Sequence, residues 1–303
     1  MPRGSQPDSS HQRPCFGVRR YHDLMRVDAL RLTVLGAFVL VLTLPLCAAS
    51  VDGINIHFSV TGTESKTVIL VHGYTCDETT WTEQVPALAK QYHVVTLDLP
   101  GHGKSDPPKD GKLSMDLFAR AIEAVRVEVK AERVVAVGHS MGTPVVLRYA
   151  HLYPEHVSAL VFVDGLMPLP LTQAAARANQ GATMGGPNGR AAREAMIRRF
   201  FVGGTTPDVQ TKVLNMMLGA PEATAVGAMN ATREPAGQTT EIPMVPILGL
   251  YAGPSGIASE EAVHAAFPSV EYSSVPGAGH FLMLEKPAQF NRLLLAFLAK
   301  QKY

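Results

Sequence analysis

The sequence predicts an α/β fold, in which a mostly parallel central sheet is flanked by helices and carries a helical cap inserted before the penultimate strand. Three observations predict it. Short continuous apolar runs alternate with segments of helical spacing, which is typical of buried parallel strands wrapped by helices. The alternation pauses between residues 167 and 242 and then resumes. Hydrophobic residues make up 46% of the chain, which is enough for one large core.

The predicted strands are runs of β-branched and aliphatic residues that stop at glycine or polar turn residues. They cover residues 54–60, 67–71, 93–97, 133–137, 157–163, 245–251 and 270–275. The predicted helices have apolar residues at intervals of three and four, which turns one face towards the core. They cover residues 78–92, 115–130, 141–151, 260–267 and 288–299, with shorter patches at 174–178, 191–201 and 209–218. We assign residues 50–166 and 243–303 to the core and residues 167–242 to the cap.

Residues 1–49 differ from the rest of the chain and read as a leader. A basic start, the apolar run of residues 32–49 and its small final residues are the parts of a secretory signal peptide, with cleavage expected after Ala49. We therefore expect a secreted or periplasmic protein with no stable membrane partner. The apolar run is also just long enough to span a bilayer, so anchoring by residues 32–49 stays an alternative. A further alternative is that translation starts at Met25.

Charge and cysteine content exclude several classes of protein. A formal net charge of +1 provides no basic surface for nucleic acid, so we expect no nucleic-acid partner. Of the 3 cysteines, only Cys76 follows the leader, and one cysteine cannot form an internal disulfide. We interpret Cys76 as a small packed side chain. No metal-ligand cluster, phosphate-binding glycine loop or redox cysteine pair is recognisable, so we expect no metal and no cofactor.

Ser140 is the predicted nucleophile. It stands in Gly138-His139-Ser140-Met141-Gly142, between a buried strand and a helix. This is the G-x-S-x-G elbow in the strand-turn-helix setting that it requires, because the sharp turn leaves no room for side chains at the two glycines. The serine hydroxyl then stands at a helix start, where backbone N–H groups favour developing negative charge.

The loop after the strand at 67–71 predicts the rest of an oxyanion hole. Gly73 lets this loop bend back towards the elbow. We expect the backbone N–H groups of Tyr74 and Met141 to hold the oxyanion. We also expect His139, Gly73 and Trp81 to line the substrate pocket.

His280 is the predicted general base. It follows the last strand in Pro276-Gly277-Ala278-Gly279-His280, directly before a helix. Flanking glycines at a strand end let the imidazole reach across the sheet edge towards the serine. Of the 11 histidines, only this one has that placement, and the order of serine before histidine fits the elbow.

Four segments in order, VHGYTCDETTW, LDLPGHGKSD, GHSMG and PGAGHF, resemble the α/β-hydrolase superfamily, in its serine esterase and haloperoxidase-like branch. The likeness spans about residues 52–302 apart from the cap. It implies the α/β-hydrolase fold and a hydrolytic enzyme. It also implies that Asp98, His102 and Asp106, in the second segment, are structural.

The resemblance leaves the acidic partner of His280 open. Most relatives carry this acid after the strand that corresponds to 245–251, but Ser255 stands there, and a hydroxyl cannot stabilise an imidazolium as a carboxylate does. Some relatives carry the acid one core strand earlier, which indicates Asp164. The ends of adjacent strands in a parallel sheet lie about 4.8 Å apart, so a carboxylate at Asp164 can reach the imidazole of His280. Glu260 or Glu261 is the alternative, and a serine-histidine dyad without an acid is a third.

These residues predict a serine carboxylesterase that acts on small or medium apolar esters through an acyl-enzyme. Alternatives are cofactor-free perhydrolysis of the haloperoxidase type, carbon–carbon or amide bond hydrolysis, and a non-catalytic ligand-binding protein. The cap is expected to determine the substrate, and its large apolar side chains form a candidate roof over the pocket. These are Met184, Met196, Phe200, Phe201, Met216 and Met217.

Overall fold

The computed structural model describes residues 49–165, 178–238, 241, 243–253 and 256–301. The apolar run of the leader before Ala49, the cap patch at 174–177 and Ser255 therefore lie outside the described residues. Within these ranges, no helix is both long and apolar enough to cross a membrane. Ala49 pairs with Ile56 in the first strand, so cleavage after Ala49 would remove that strand's first residue.

The central sheet is mostly parallel. The strands are β1 Ala49–Val51, β2 Ile54–Ile56, β3 Phe58–Thr61, β4 Thr67–Val71, β5 His93–Leu97, β6 Val134–His139, β7 Val157–Val163, β8 Ile247–Tyr251 and β9 Glu271–Ser274. In the described part of the chain, seven of them form one sheet in the order β3-β5-β4-β6-β7-β8-β9. Only the pairing of β3 with β5 is antiparallel in this sheet. The predicted fold class is confirmed.

The helices flank this sheet and also form the cap. They are α1 Val85–Leu88, α2 Met115–Glu128, α3 Gly142–Leu152, α4 Gly189–Arg198, α5 Pro207–Gly219, α6 Glu222–Ala231, α7 Glu260–Ala266, α8 Leu282–Glu285 and α9 Pro287–Lys300. Helices α2, α5 and α7 each begin after a Ser or Thr whose hydroxyl accepts a backbone N–H of the first turn. That bond satisfies a donor which the helix itself leaves unpaired.

Two predicted elements are wrong in extent. The predicted strand at 54–60 is split into β2 and β3 at His57, whose N–H donates to the Ser105 hydroxyl instead of to a neighbouring strand. The predicted helix at 78–92 is a 3₁₀ turn, Glu78–Trp81, followed by the short helix α1. Pro86 lies in the first turn of α1, and because proline has no N–H to donate to a preceding turn, it favours a helix start.

The described cap helices lie between β7 and β8, within residues 178–238. Helix α6 was not predicted, because its sequence EATAVGAMNA consists mostly of small residues, and its two larger apolar residues, Val226 and Met229, are too few to show an amphipathic period. It is held by small buried residues instead, Ala225, Ala228 and Ala231. The limits of the cap as a domain stay a prediction, since residues 166–177 are not described.

The carboxyl ends of the parallel strands position the site. Ser140 follows β6 and Asp164 follows β7, while the loop after β9 carries His280. Strands β4 to β8 are buried along almost their whole length, so their ends are held rigidly by the core. Ligands bind outside the carboxyl ends of strands in open α/β sheets, and the cap helices cover this edge.

Candidate active site

Ser140 occupies a sharp turn between β6 and α3. Its φ is 53°, in the left-handed region that non-glycine residues seldom adopt, and its N–H donates to the carbonyl of Val163 at 2.9 Å. A Cβ at Gly138 would lie 2.2 Å from the carbonyl oxygen of Gly142. One at Gly142 would lie 2.6 Å from that of Val71. Both glycines are therefore required for steric reasons, as the elbow motif predicts.

His280 is 2% exposed, and its backbone is held from two sides. Its N–H donates to the carbonyl of Phe200 in the cap at 3.2 Å. Its own carbonyl lies 3.0 Å from Nε2 of His139 on the elbow. The imidazole also packs between these two residues, with ring centroids 4.3 Å from Phe200 and 4.7 Å from His139.

Asp164 is fully buried beside this imidazole. Its Oδ2 lies 2.6 Å from Nδ1 of His280. Oδ1 accepts the N–H of Ala252 at 3.2 Å, and Oδ2 also accepts that of Ile257 at 3.3 Å. Both amides belong to the segment after β8, where most relatives of the resembled family carry the acid itself. Here the backbone of that segment holds a carboxylate that comes from β7.

The alternative acids lie elsewhere. Glu260 and Glu261 are exposed in the first turn of α7, where Glu260 lies 3.8 Å from His264 on the same helix. Because Nδ1 of His280 is already bonded to Asp164, the structure does not bring either glutamate to the imidazole.

Gly256 is packed against Asp164, and a Cβ there would lie 2.5 Å from Oδ1. Gly256→Ala is therefore expected to displace the carboxylate and, if Asp164 is the predicted acid, to lower kcat by about tenfold or more, because small misplacements of such a group are costly. The measurement is kcat for a p-nitrophenyl ester. Gly219→Ala is the matched control, because a Cβ at Gly219 meets no atom within 4 Å. Equal kcat in both variants would contradict the predicted displacement.

The two predicted oxyanion donors lie on either side of Ser140 in the fold. In the described part of the chain, neither the backbone N–H of Tyr74 nor that of Met141 donates to another protein group. A Cβ at Gly73 would lie 3.1 Å from Cβ of Ser140, so the loop after β4 approaches the elbow closely. The Tyr74 hydroxyl donates to the carbonyl of Ala225 at 3.0 Å, which ties this loop to cap helix α6.

A cavity of about 200 Å³ opens beside Ser140 and His280. The core contributes residues to its wall, among them Tyr74, Cys76, His139 and Phe281. The cap contributes the rest, which are Met196, Phe200, Met217, Met229, Thr232 and Arg233.

The expected lining is partly wrong. His139 lines the cavity, but Gly73 and Trp81 do not. Trp81 is fully buried beside His139, with the two rings perpendicular and their centroids 6.5 Å apart, because the 3₁₀ turn directs it into the core. Of the predicted roof, Met196, Phe200 and Met217 line the cavity. Met216 instead accepts the Thr80 hydroxyl at its sulfur. The sequence of α6 has no apolar period, so it did not indicate that Met229 and its neighbours would line the cavity.

Burial holds two ionisable side chains of the cavity wall, Cys76 and His139, in their neutral forms. Burial raises the pKa of the Cys76 thiol far above its usual value, so this group is neither a thiolate nor a nucleophile at neutral pH. Burial also lowers the pKa of His139 well below its usual value, and the adjacent His280 lowers it further. These two side chains therefore add no charge to the cavity wall, which also contains Arg233.

Asp98 belongs to a separate cluster with His57 and Glu78, whose ligand atoms lie close enough together to hold a metal ion. The ammonium group of Lys104 already lies 3.1 Å from Glu78, and Asp98 accepts the backbone N–H groups of Glu78 and Lys104. These contacts connect Glu78 to Asp98 and Lys104, which both lie in the DLPGHGKSD turn.

In the resting structure, no hydrogen bond joins the Ser140 hydroxyl to His280 within the described residues. Catalytic hydrogen bonds are often loose before substrate binds and tighten afterwards. Ser140 and His280 line the same cavity, so one bound ligand can contact both side chains.

Comparisons with known proteins agree with this fold. The sequence model of the alpha/beta hydrolase fold matches residues 66–187. Over 81% of this chain and 67% of that protein, the sequence is 30% identical to the dihydrolipoyllysine-residue acetyltransferase component of the acetoin cleaving system of Cupriavidus necator. The structure of a thermophilic esterase from Thermogutta terrifontis, with malate bound, matches with a TM-score of 0.76 and 25% identity, over 84% of this chain and 97% of that one. A bromoperoxidase from Bacillus anthracis shares the fold, with a TM-score of 0.72 and 24% identity over 81% and 96% of the two chains.

Proposed function

Because the chain belongs to the α/β-hydrolase superfamily, we propose that it is a serine hydrolase that cleaves carboxylic esters of small or medium apolar substrates. Membership implies a hydrolytic enzyme with a small-molecule substrate. The serine mechanism and the ester substrate are the proposal. The observation that carries it is the 2.6 Å hydrogen bond between His280 and Asp164, next to a nucleophile elbow.

This hydrogen bond determines which nitrogen of His280 carries the proton. An ionised carboxylate only accepts hydrogen bonds, so Nδ1 is the donor and Nε2 is left with a lone pair. Nε2 is the atom that must take the proton of the Ser140 hydroxyl. Asp164 therefore holds the imidazole in the tautomer and orientation that a general base requires.

Acylation follows from this arrangement. The Ser140 oxygen attacks the ester carbonyl as His280 takes its proton, and the carbonyl becomes a tetrahedral oxyanion. The N–H groups of Tyr74 and Met141 stabilise that charge, in a site where they have no other partner among the described residues. His280 then gives the proton to the leaving alcohol, which departs and leaves an acyl group on Ser140.

Deacylation uses the same groups with water as the nucleophile. His280 takes a proton from the water as it attacks the acyl carbonyl, and a second oxyanion forms. His280 then returns the proton to Ser140, and the acid is released.

The cavity supports the choice of substrate. At about 200 Å³, it is smaller than the roughly 300–1,000 Å³ typical of sites for drug-sized ligands. Three methionines and Phe200 form much of its roof, and thioethers adapt to apolar groups of irregular shape. A short or medium acyl chain fits this space better than a long one.

Labelling with a fluorophosphonate probe tests the proposed mechanism. We expect covalent modification of the wild-type protein at Ser140, identified by peptide mass, because only an activated serine reacts with the probe. A series of p-nitrophenyl esters tests the substrate. We expect kcat/KM for the butyrate to exceed that for the dodecanoate by about tenfold or more, because excess methylenes cannot enter the cavity.

Each alternative has its own outcome. A protein that neither reacts with the probe nor hydrolyses any ester would be a ligand-binding member of the fold, and the proposal would fail. Labelling at Ser140 together with faster turnover of amides, of carbon–carbon substrates or of peroxide would retain the serine mechanism and reject the ester substrate.

A further inference from the structure

His139 is a fully buried histidine that the proposed mechanism leaves without a role. It directly precedes Ser140, and it lines the cavity. Its Nε2 lies 3.0 Å from the backbone carbonyl oxygen of His280. This contact joins two segments that are 141 residues apart in the chain.

The contact allows only one tautomer of His139. A carbonyl oxygen can only accept, so Nε2 carries the proton and donates it. Nδ1 then has a lone pair, and within the described residues this buried atom has no hydrogen-bond partner. Burial disfavours a second proton on the ring. His139 is therefore a neutral donor with one fixed orientation.

Packing holds the same orientation. The His139 ring lies 4.7 Å from that of His280 and 4.9 Å from that of Phe281, between centroids. Trp81 supports it from behind with an edge-on contact at 6.5 Å. Phe200 covers the opposite side of His280 at 4.3 Å. The imidazole of His280 is thus enclosed between an elbow residue and a cap residue.

We infer that His139 is a positioning residue, which fixes the main chain of His280 relative to the nucleophile through the hydrogen bond from its Nε2 to the His280 carbonyl. The role rests on the proposed function, because it serves the base of that mechanism. Ser140 and His280 come from different strand ends, and the peptide that carries Ser140 also carries this donor. Any shift of the elbow therefore moves nucleophile and base together.

Two substitutions separate the hydrogen bond from the packing. His139→Phe keeps a planar ring against His280 but has no N–H group. His139→Gln can place an amide N–H near the position of Nε2. We expect His139→Phe to lower kcat about tenfold, as loss of one hydrogen bond at a catalytic group does, with KM unchanged. His139→Gln should recover kcat to within about threefold of the wild type.

The readouts must exclude a purely structural role. The value of kcat is expressed per site titrated with the fluorophosphonate, so that misfolded protein does not count. The NMR resonance of the proton between His280 and Asp164 is followed in parallel, and it should shift in His139→Phe. His93→Phe is the matched control, since His93 also makes a side-chain hydrogen bond, to Thr67, but at the start of β5. It should change neither readout.

The inference is overturned if kcat per titrated site in His139→Phe stays within about twofold of the wild type and the resonance does not move. A lower unfolding temperature with unchanged kcat per site would also overturn it. If the phenylalanine variant does not fold, His139→Asn replaces it, because its shorter amide cannot reach the carbonyl. If the wild type neither labels nor turns over esters, the proposed function fails, and the NMR comparison still tests the positioning role.

Discussion

Ser140→Ala is expected to lower kcat for p-nitrophenyl butyrate by about a millionfold, leaving only the slow turnover that binding and the oxyanion donors provide. The reason is that covalent catalysis has no substitute here. Among the described residues that line the cavity, the buried Cys76 thiol stays protonated, and the Thr232 hydroxyl donates to the carbonyl of Met229. The measurement is initial rate at saturating ester, with the fluorophosphonate label expected to disappear.

The unfolding temperature of this variant should stay close to that of the wild type. The φ of 53° at this position is about equally unfavourable for alanine and for serine, because both carry a Cβ. Ser114→Ala is the matched control. Its hydroxyl caps α2 and contacts nothing at the site, so that variant should lose about 1 kcal/mol of stability and no kcat. Retained turnover in Ser140→Ala would reject Ser140 as the nucleophile.

Asp164→Asn is expected to lower kcat by about 10⁴-fold while KM changes little. An asparagine keeps the volume but not the charge, and its NH₂ group can donate to the imidazole. It thereby favours the tautomer of His280 that cannot accept the Ser140 proton. Part of the effect also arises because the amides of Ala252 and Ile257 surround the same atoms and now face a mismatched side chain. The measurement is kcat per correctly folded protein.

Asp98→Asn is the matched control for this substitution. Asp98 is also buried and also accepts two backbone N–H groups, but it has no contact with His280. That variant should lose stability and keep kcat per folded protein. A kcat for Asp164→Asn within about tenfold of the wild type would contradict the acid role and favour a serine-histidine dyad.

A second-site variant sharpens this test. Position 255 is where most members of the resembled family carry the acid, so Ser255→Asp is combined with Asp164→Asn. We expect the double variant to recover at least about tenfold in kcat over Asp164→Asn alone, because it returns a carboxylate to the position at which most members of the resembled family carry it. The single variant Ser255→Asp should gain nothing, since His280 Nδ1 already has its partner.

The cap has two consequences for the site. It roofs the cavity, and it also supplies the Phe200 carbonyl that accepts the N–H of His280. A cap that moves to admit substrate would therefore loosen the base as well.

The fold class and the places of Ser140 and His280 in it were predictable from the amino-acid sequence alone. Those predictions depend on local sterics. A buried strand, a turn that tolerates only glycine at two positions and a following helix are contiguous in the chain, so their pattern is readable without knowledge of distant contacts. The glycine-flanked loop of His280 is similarly local.

The contacts between side chains from distant segments became known from the three-dimensional structure. The sequence indicated Asp164 but left Glu260, Glu261 and a dyad open, because strand adjacency joins residues 116 positions apart. The direction of Trp81 into the core and the share of α6 in the cavity wall depend on how helices pack, and small buried alanines leave no periodic signal. The contact between His139 and His280 has the same origin. A motif such as the elbow consists of neighbouring residues and can be recognised in the sequence. The contacts between its side chains and those of other segments form only when distant parts of the chain pack together.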